Sequence, residues 1–215
     1  MLQHSVITVT PLRTNCSLIW CDKTNRAAVI DPGGEAERIV ALIEKERVKL
    51  ELILITHAHF DHVGAAADLA DQFNIPIEGP HLDDKFLVDA LPHQGAMFGY
   101  QSVRAFTPTA CLGDGDKVQV GESTLDVLHC PGHTPGHIAF YSNEAKVAFV
   151  GDVIFKGSVG RTDFDRGDHT ALINSIKHKL FPLGNDITFI PGHGDESTFG
   201  EERLTNPFLQ NNHVL

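Results

Sequence analysis

Basic residues are scarce in this chain: 17 Lys and Arg stand against 28 Asp and Glu in 215 residues, a formal net charge of −11. Phosphate backbones are gripped by clustered Lys and Arg. No such stripe occurs, so nucleic acid is not expected as a partner. Long apolar runs are missing as well. No segment approaches the ~18 apolar residues of a membrane span, and Met1-Leu2-Gln3-His4-Ser5-Val6 has neither a charged leader region nor a long apolar core. No membrane association is expected. The four cysteines, Cys16, Cys21, Cys111 and Cys130, show neither CxxC spacing nor the density of a disulfide framework. Reduced thiols and a cytoplasmic location are the expectation, with Cys130 a small packed hydrophobe rather than a reactive thiol. No low-complexity stretch or composition shift marks a linker, and the chain is long enough to bury the core of one domain over 1–215.

Histidine, by contrast, is concentrated. Thr56-His57-Ala58-His59-Phe60-Asp61-His62 follows directly on the apolar run Leu52-Ile53-Leu54-Ile55. A chance His-x-His-x-Asp-His would occur in roughly 0.4% of chains of this composition. A buried strand that stops at a ligand-dense turn is how an α/β protein presents side chains to a reaction site. His57 and His59, two apart, point the same way while the chain is extended. Asp61 and His62 follow once it has turned and can aim at a second point nearby, which suits two metal ions better than one. Three further strand-like runs end in the same manner. Thr124–Leu128 leads to Cys130-Pro131-Gly132-His133-Thr134-Pro135-Gly136-His137, Val147–Val150 to Gly151-Asp152, and Ile187–Ile190 to Pro191-Gly192-His193-Gly194. Four strand ends, each with a His or Asp in a Gly-containing turn, converge on one edge of the fold.

The remaining pattern alternates strands and helices in two rounds. Val6–Val9, Cys16–Trp20 and Ala27–Ile30 read as strands, and a helix follows with Ile39, Leu42 and Ile43 on one face. After the first motif, Gly64 opens a helix carrying Leu69, Ala70 and Phe73. Strands near 117–120, 124–129, 138–142 and 146–150 precede a helix with Leu172, Ile173, Ile176 and Leu180 in register, and 187–190 closes the second round. Gly79–Phe106 fits neither period and reads as a helix broken into a loop, with Phe86, Met97, Phe98 and Tyr100 as candidate substrate contacts.

These four motifs, in this order and spacing, resemble those of the metallo-β-lactamase superfamily, and within it the compact bacterial glyoxalase II-like hydrolases. The closer likeness rests on residues 131–137, on Gly151-Asp152-Val153-Ile154-Phe155 and on Gly157-Ser158-Val159-Gly160-Arg161-Thr162-Asp163. The resemblance implies a four-layer α/β/β/α sandwich with the metal site at one edge of the two sheets. It assigns His57, His59 and His133 to a first metal and Asp61, His62 and His193 to a second, with Asp152 bridging. The implied cofactors are two divalent ions, zinc first, with iron or manganese mixed in as the alternative. The implied activity is hydrolysis of a small-molecule thioester of the S-lactoylglutathione type by a hydroxide held between the ions, which Asp61 steers as the catalytic carboxylate. Full-length glyoxalase II continues into a helical, glutathione-gripping C-terminal region; only 22 residues follow His193 here, so that region is expected to be lacking.

Three further residues receive roles. His137, beyond Pro135-Gly136, is not a ligand by the resemblance and reads as an orienting or packing neighbour of the ligands. Arg161 and Lys156 lie just after Asp152 and could receive a substrate carboxylate, Arg161 bidentately. His4, His81, His93, His129, His169, His178 and His213 belong to no motif. A rival resemblance is carried by Gly160-Arg161-Thr162-Asp163-Phe164 and Glu202-Arg203-Leu204-Thr205-Asn206-Pro207. It points to the persulfide dioxygenases, whose single iron would take His57, His133 and Asp152. His137 and Gly194-Asp195 favour the hydrolase. Hydrolysis of another ester or a lactone is a further alternative. The oligomeric state is not encoded in any feature of the sequence.

Overall fold

Apolar runs of the first half become one sheet. In the computed structural model, which describes residues 1–100 and 103–210, β1 (Leu2–Val9), β2 (Thr14–Cys21) and β3 (Arg26–Ile30) form an antiparallel meander. Helix α1 (Ala36–Glu46) returns the chain to β4 (Lys49–Leu54), parallel to β3. Helices α2 (Phe60–Val63) and α3 (Ala66–Phe73) lead to the short β5 (Ile77–Glu78), parallel to β4. After α4 (Lys85–Met97) a second sheet begins with β6 (Lys117–Val120), β7 (Ser123–His129), β8 (Ile138–Ser142) and β9 (Val147–Gly151). A separate ribbon, β10 (Ile154–Phe155) with β11 (Ser158–Val159), precedes α5 (His169–Ser175). The chain then passes through a π-helical turn, Ile176–Leu180, into β12 (Thr188–Pro191), β13 (Ser197–Thr198) and α6 (Phe199–Thr205). The sheet orders are β1-β2-β3-β4-β5 and β13-β12-β9-β8-β7-β6.

Period-two alternation sorts the side chains of these strands between three cores. Leu18, Val29 and Ile53 face the first core with Ile39 and Ile43 of α1, Leu69 of α3 and Leu91 of α4. Their neighbours Ile19, Ala28, Ile30, Leu52 and Leu54 face the other way, against Ile138, Phe140, Val147 and Phe149 of the second sheet. Ala139, Ala148 and Val150 face a third core with Leu172, Ile176 and Leu180. One core lies between the sheets and one under each helical layer, which makes the fold a four-layer α/β/β/α sandwich. Among the described residues no helix is long and apolar enough to cross a membrane. Cys16, Cys21 and Cys130 are buried and Cys111 is exposed, all as free thiols. Burial pushes the Cys130 thiol up to about 12, so it is an inert packed group.

One reading is corrected. Within 79–106, residues 85–97 form a helix of 13 residues that runs through Pro92. Pro92 sits on the exposed side, while Val88, Leu91 and Gly95 are buried, so the packed face holds the helix together despite the lost N–H. Gln101, Ser102 and His213 lie outside the described residues.

Candidate metal centre

Each side chain that the resemblance assigns to a metal sits just beyond the end of a core strand. Past β4 the chain bends at Thr56 and passes through His57 to His59, which is extended at φ −73°, ψ 143°, then turns into α2, which carries Asp61 and His62. Gly33, in the turn after β3, packs so tightly on this loop that a Cβ would fall onto the Asp61 carbonyl. The turn after β7 brings His133, the end of β9 brings Asp152, and the end of β12 brings His193.

The donor atoms gather in two groups. His59 Nδ1 lies 3.1 Å from His57 Nε2 and 3.0 Å from His133 Nε2. His193 Nε2 lies 3.3 Å from His62 Nε2 and 3.3 Å from Asp61 Oδ2, which is 3.7 Å from His62 Nε2. Asp152 spans the two: Oδ1 is 3.4 Å from His62 Nε2, and Oδ2 is 3.6 Å from both His133 Nε2 and His193 Nε2. Nitrogen donors 2.0–2.1 Å from one tetrahedral ion lie about 3.3–3.4 Å apart, so these separations are those of ligands around a cation.

Hydrogen bonds behind the rings decide which nitrogen faces inward. His133 Nδ1 donates to Arg161 O at 2.8 Å, His62 Nδ1 to Asp31 Oδ2 at 3.0 Å and His193 Nδ1 to Leu12 O at 3.1 Å. Thr56 Oγ1 gives its proton to Asp31 Oδ2 at 2.6 Å and so accepts from His57 Nδ1 at 3.1 Å. All four rings thus turn an Nε2 lone pair towards the centre. Asp152 Oδ1 is buried with no hydrogen-bond partner. A buried cluster made only of acceptors is costly unless a cation or proton fills it. The donor set therefore fits divalent cations.

The electrostatics of the two groups differ. Burial, reinforced by the neighbouring imidazoles, holds His57 well below the ordinary histidine range, and burial brings His59 down to about 3. Burial likewise lowers His133, with Asp152 opposing. At His62 burial acts in the same direction but is outweighed by Asp152 and Asp61, which raise it well above its ordinary value. At His193, Asp61 and Asp152 likewise outweigh burial. Burial would raise Asp152, but His62, His133 and His193 around it keep it ionised. One group is thus a neutral imidazole trio; the other is a carboxylate-rich pocket that attracts positive charge.

The other residues singled out in the sequence fall around this centre. His137 is fully buried, stacks on His57 at 4.6 Å, and its Nε2 accepts the Asp152 backbone N–H at 3.0 Å. The Arg161 side chain is exposed and paired bidentately with Asp163 at 2.9 and 2.8 Å, its guanidinium 4.6 Å from the Phe164 ring. Lys156 is exposed at the tip of the β10–β11 ribbon, beside Phe155, whose ring packs near His193. Phe98 and Tyr100 pack on Phe60, between His59 and Asp61 in the motif. Met97 is exposed, and Phe86 carries the Arg166 guanidinium 4.0 Å over its ring. His81, Asp83 and His129 form a second cluster, but the two rings stack at 4.2 Å and 18°, so their lone pairs run side by side instead of converging.

Sequence reasoning missed Asp31, Asp84 and Phe164. Asp31 carries the same signature as the others, a strand end running into Pro32-Gly33-Gly34. Asp84, fully buried, accepts from Ala58 N, Thr134 Oγ1 and Gly136 N and so joins two of the motifs. Phe164 covers His59 and His133, with ring centroids 4.9 and 5.5 Å away.

Comparison with known proteins agrees with this geometry. A family model described as the metallo-beta-lactamase superfamily matches residues 9–193. Hydroxyacylglutathione hydrolase GloC of Haemophilus influenzae is 50% identical over 205 residues, covering 95% of this chain and 96% of that one. The crystal structure of the BLEG-1 B3 metallo-beta-lactamase superposes with a TM-score of 0.88 at 36% identity, over 98% of this chain and 100% of that one. The structure of TTHA1623 in a di-iron-bound form gives 0.87 at 38% identity, over 95% and 100%. Strand-end ligands in this order, on this fold and with this reach of similarity, leave one conclusion: the chain belongs to the metallo-β-lactamase superfamily.

Proposed function

We propose that this protein is a two-metal hydrolase of small thioesters, S-lactoylglutathione being the model substrate. The observation that carries the reading is the pair of acceptor clusters joined by Asp152, whose carboxylate reaches His133 of the first and His62 and His193 of the second. His57, His59 and His133 would hold one ion, Asp61, His62 and His193 the other, and Asp152 both. The GloC similarity supports the thioester class, and the di-iron relative supports double occupancy, with zinc as the first choice here and iron or manganese as substitutes. When bound, the ions supply hydroxide at neutral pH and polarise the scissile carbonyl.

The chain's own residues do the rest. Asp61 accepts from Thr14 Oγ1 at 3.3 Å, which fixes its carboxylate towards His193, where it would steer the attacking hydroxide. Phe164 and Phe155 wall the two sides of the centre and limit bulk water. Arg161 would exchange Asp163 for a substrate carboxylate at little cost, because both partners are 68% exposed. The thiolate is a good leaving group and requires no strong general acid.

The test is metal content together with S-lactoylglutathione hydrolysis for wild type, His62→Ala and His193→Ala. Near two metals per chain, with turnover falling on the order of 100-fold or more in both variants, is expected. A second reading, a mononuclear iron dioxygenase, takes His57, His133 and Asp152: His57 and His133 share the first donor group, and Asp152 Oδ2 stands 3.6 Å from His133 Nε2. One iron per chain, no thioester hydrolysis and oxygen uptake with glutathione persulfide would replace the first reading by the second. A lactone or oxygen ester turned over faster than the thioester would keep the metals and change the substrate.

A further inference from the structure

Glu202 and Asn206 belong to a sequence motif that the hydrolytic chemistry leaves unused, yet both are buried, at 1% and 0% exposure. The Glu202 carboxylate accepts from three uncharged donors: Ser197 Oγ at 2.6 Å, the Gly157 backbone N–H at 2.8 Å and Asn206 Nδ2 at 2.8 Å. Asn206 Nδ2 also donates to Ser158 O at 2.9 Å and Phe155 O at 3.4 Å. Two side chains of the α6 region thus hold three backbone groups at the tip of the β10–β11 ribbon. The ribbon pairs only Ile154 with Val159 and Phe155 with Ser158, too short a ladder to fix its own position.

The two ends of this ribbon enter the metal centre. One end is Asp152, whose oxygens reach both donor groups. The other is Arg161, whose carbonyl orients His133. The ends are pressed together: Gly160 N donates to Val153 O at 3.2 Å, and a Cβ on Gly160 would land on the Asp152 carbonyl. A shift of the tip is therefore carried to the bridging carboxylate and to a ring of the first trio at once.

We infer that Glu202 and Asn206 are positioning residues of the metal centre, setting Asp152 and His133 through the ribbon. The inference rests on the metal reading of the site and not on the thioester. It is tested by Zn²⁺ competition with a chromophoric chelator, read without substrate, alongside urea unfolding of the metal-free proteins. Asn206→Ala and Glu202→Leu should weaken at least one Zn²⁺ equivalent by about 10- to 100-fold, the effect of losing an outer partner of a ligand. Glu202→Gln should stay within about threefold of wild type, its carbonyl kept for Gly157 and its amide turned to the Ser197 hydroxyl. Ser197→Ala, which removes a hydroxyl from the Glu202 oxygen opposite the one that Gly157 and Asn206 share, should do the same. Unchanged affinity in Asn206→Ala and Glu202→Leu overturns the inference, as does a loss in Ser197→Ala that tracks metal-free stability equally. Should the first two variants not fold, wild type decides. By reciprocity, Zn²⁺ must slow hydrogen exchange at the Gly157 amide, and exchange that ignores Zn²⁺ overturns the inference. A protein that binds Zn²⁺ but ignores S-lactoylglutathione removes only the thioester reading. One that binds no Zn²⁺ overturns the metal reading itself and this inference with it.

Discussion

At the scale of single residues, Asp84 is where charge and architecture meet. Its carboxylate ties Ala58, between His57 and His59, to Thr134 and Gly136, on either side of the turn that follows His133. Burial pushes it from an ordinary 3.8 up to about 6, against the pull of those hydrogen bonds. The unfolded chain gives up this proton near pH 4 and the folded protein near pH 6, so between them the folded state holds more protons. Stability is then fully present below about pH 4 and falls as pH rises through about 6. A shift of about two units is worth about 3 kcal/mol. In Asp84→Asn the step is gone, although one backbone N–H is left facing an NH₂. Urea unfolding of both metal-free proteins should show the wild-type advantage shrinking by about 3 kcal/mol from pH 4 to pH 7; a pH-independent difference would mean that Asp84 titrates like a surface acid. Its role could not be read from sequence. That His57, His59, Asp61, His62, His133, Asp152 and His193 come together was legible because each follows an apolar run at a turn. Asp84 has partners 26 to 52 residues away, and Asp31 partners 25 and 31 away. Nothing local distinguishes Asp84 from a solvated carboxylate, whereas Asp31 ends a strand at Pro32-Gly33-Gly34 as the ligands end theirs.

At the scale of elements, periodicity was sufficient wherever burial imposed it. Strands β2 to β4 and β7 to β9 were legible because they are packed on both faces or alternate strictly. Helix α4 was not, because Pro92 and Gly95 punctuate it while its buried face, Val88, Leu91 and Gly95, is only three residues wide. Gly95 is there for space: a Cβ would meet Tyr100 O and the Val103 side chain. Pro92 has no such reason in the structure. An interior proline costs about 3 kcal/mol of helix, partly offset by about 0.4–1 kcal/mol from a stiffer unfolded chain. Pro92→Ala should therefore stabilise the protein by about 2–3 kcal/mol. Its metal content should be unchanged, since Asp84 precedes the helix and keeps its partners. A rise in the thermal midpoint at constant Zn²⁺ stoichiometry is the measurement; a loss of bound metal would mean that Pro92 shapes the site through α4.

At the scale of the whole molecule, the centre joins two sheets that otherwise meet mainly through an apolar core. His57, His59, Asp61 and His62 come from the first sheet, and His133, Asp152 and His193 from the second. The layering itself was implied by family resemblance, since alternating strands and helices permit several α/β stackings. Protein contacts already stitch the edge: Asn15 of β2 donates from its side chain to Pro191 O and Gly194 O, and its backbone N–H to Gly192 O. Ions held between the sheets would add to this by mass action, because the unfolded chain offers no preformed site. Each bound site contributes about 1.4 kcal/mol for every tenfold rise of free metal above its Kd. Two sites give a slope of about 2.8 kcal/mol per decade and one gives half that. Urea unfolding across a series of buffered Zn²⁺ concentrations should therefore show the steeper slope for wild type and the shallower one for His193→Ala, with both lines meeting the metal-free value in excess chelator. A wild-type slope near 1.4 kcal/mol per decade would mean that Asp152 serves one ion, and the chemistry would then have to be that of a mononuclear site.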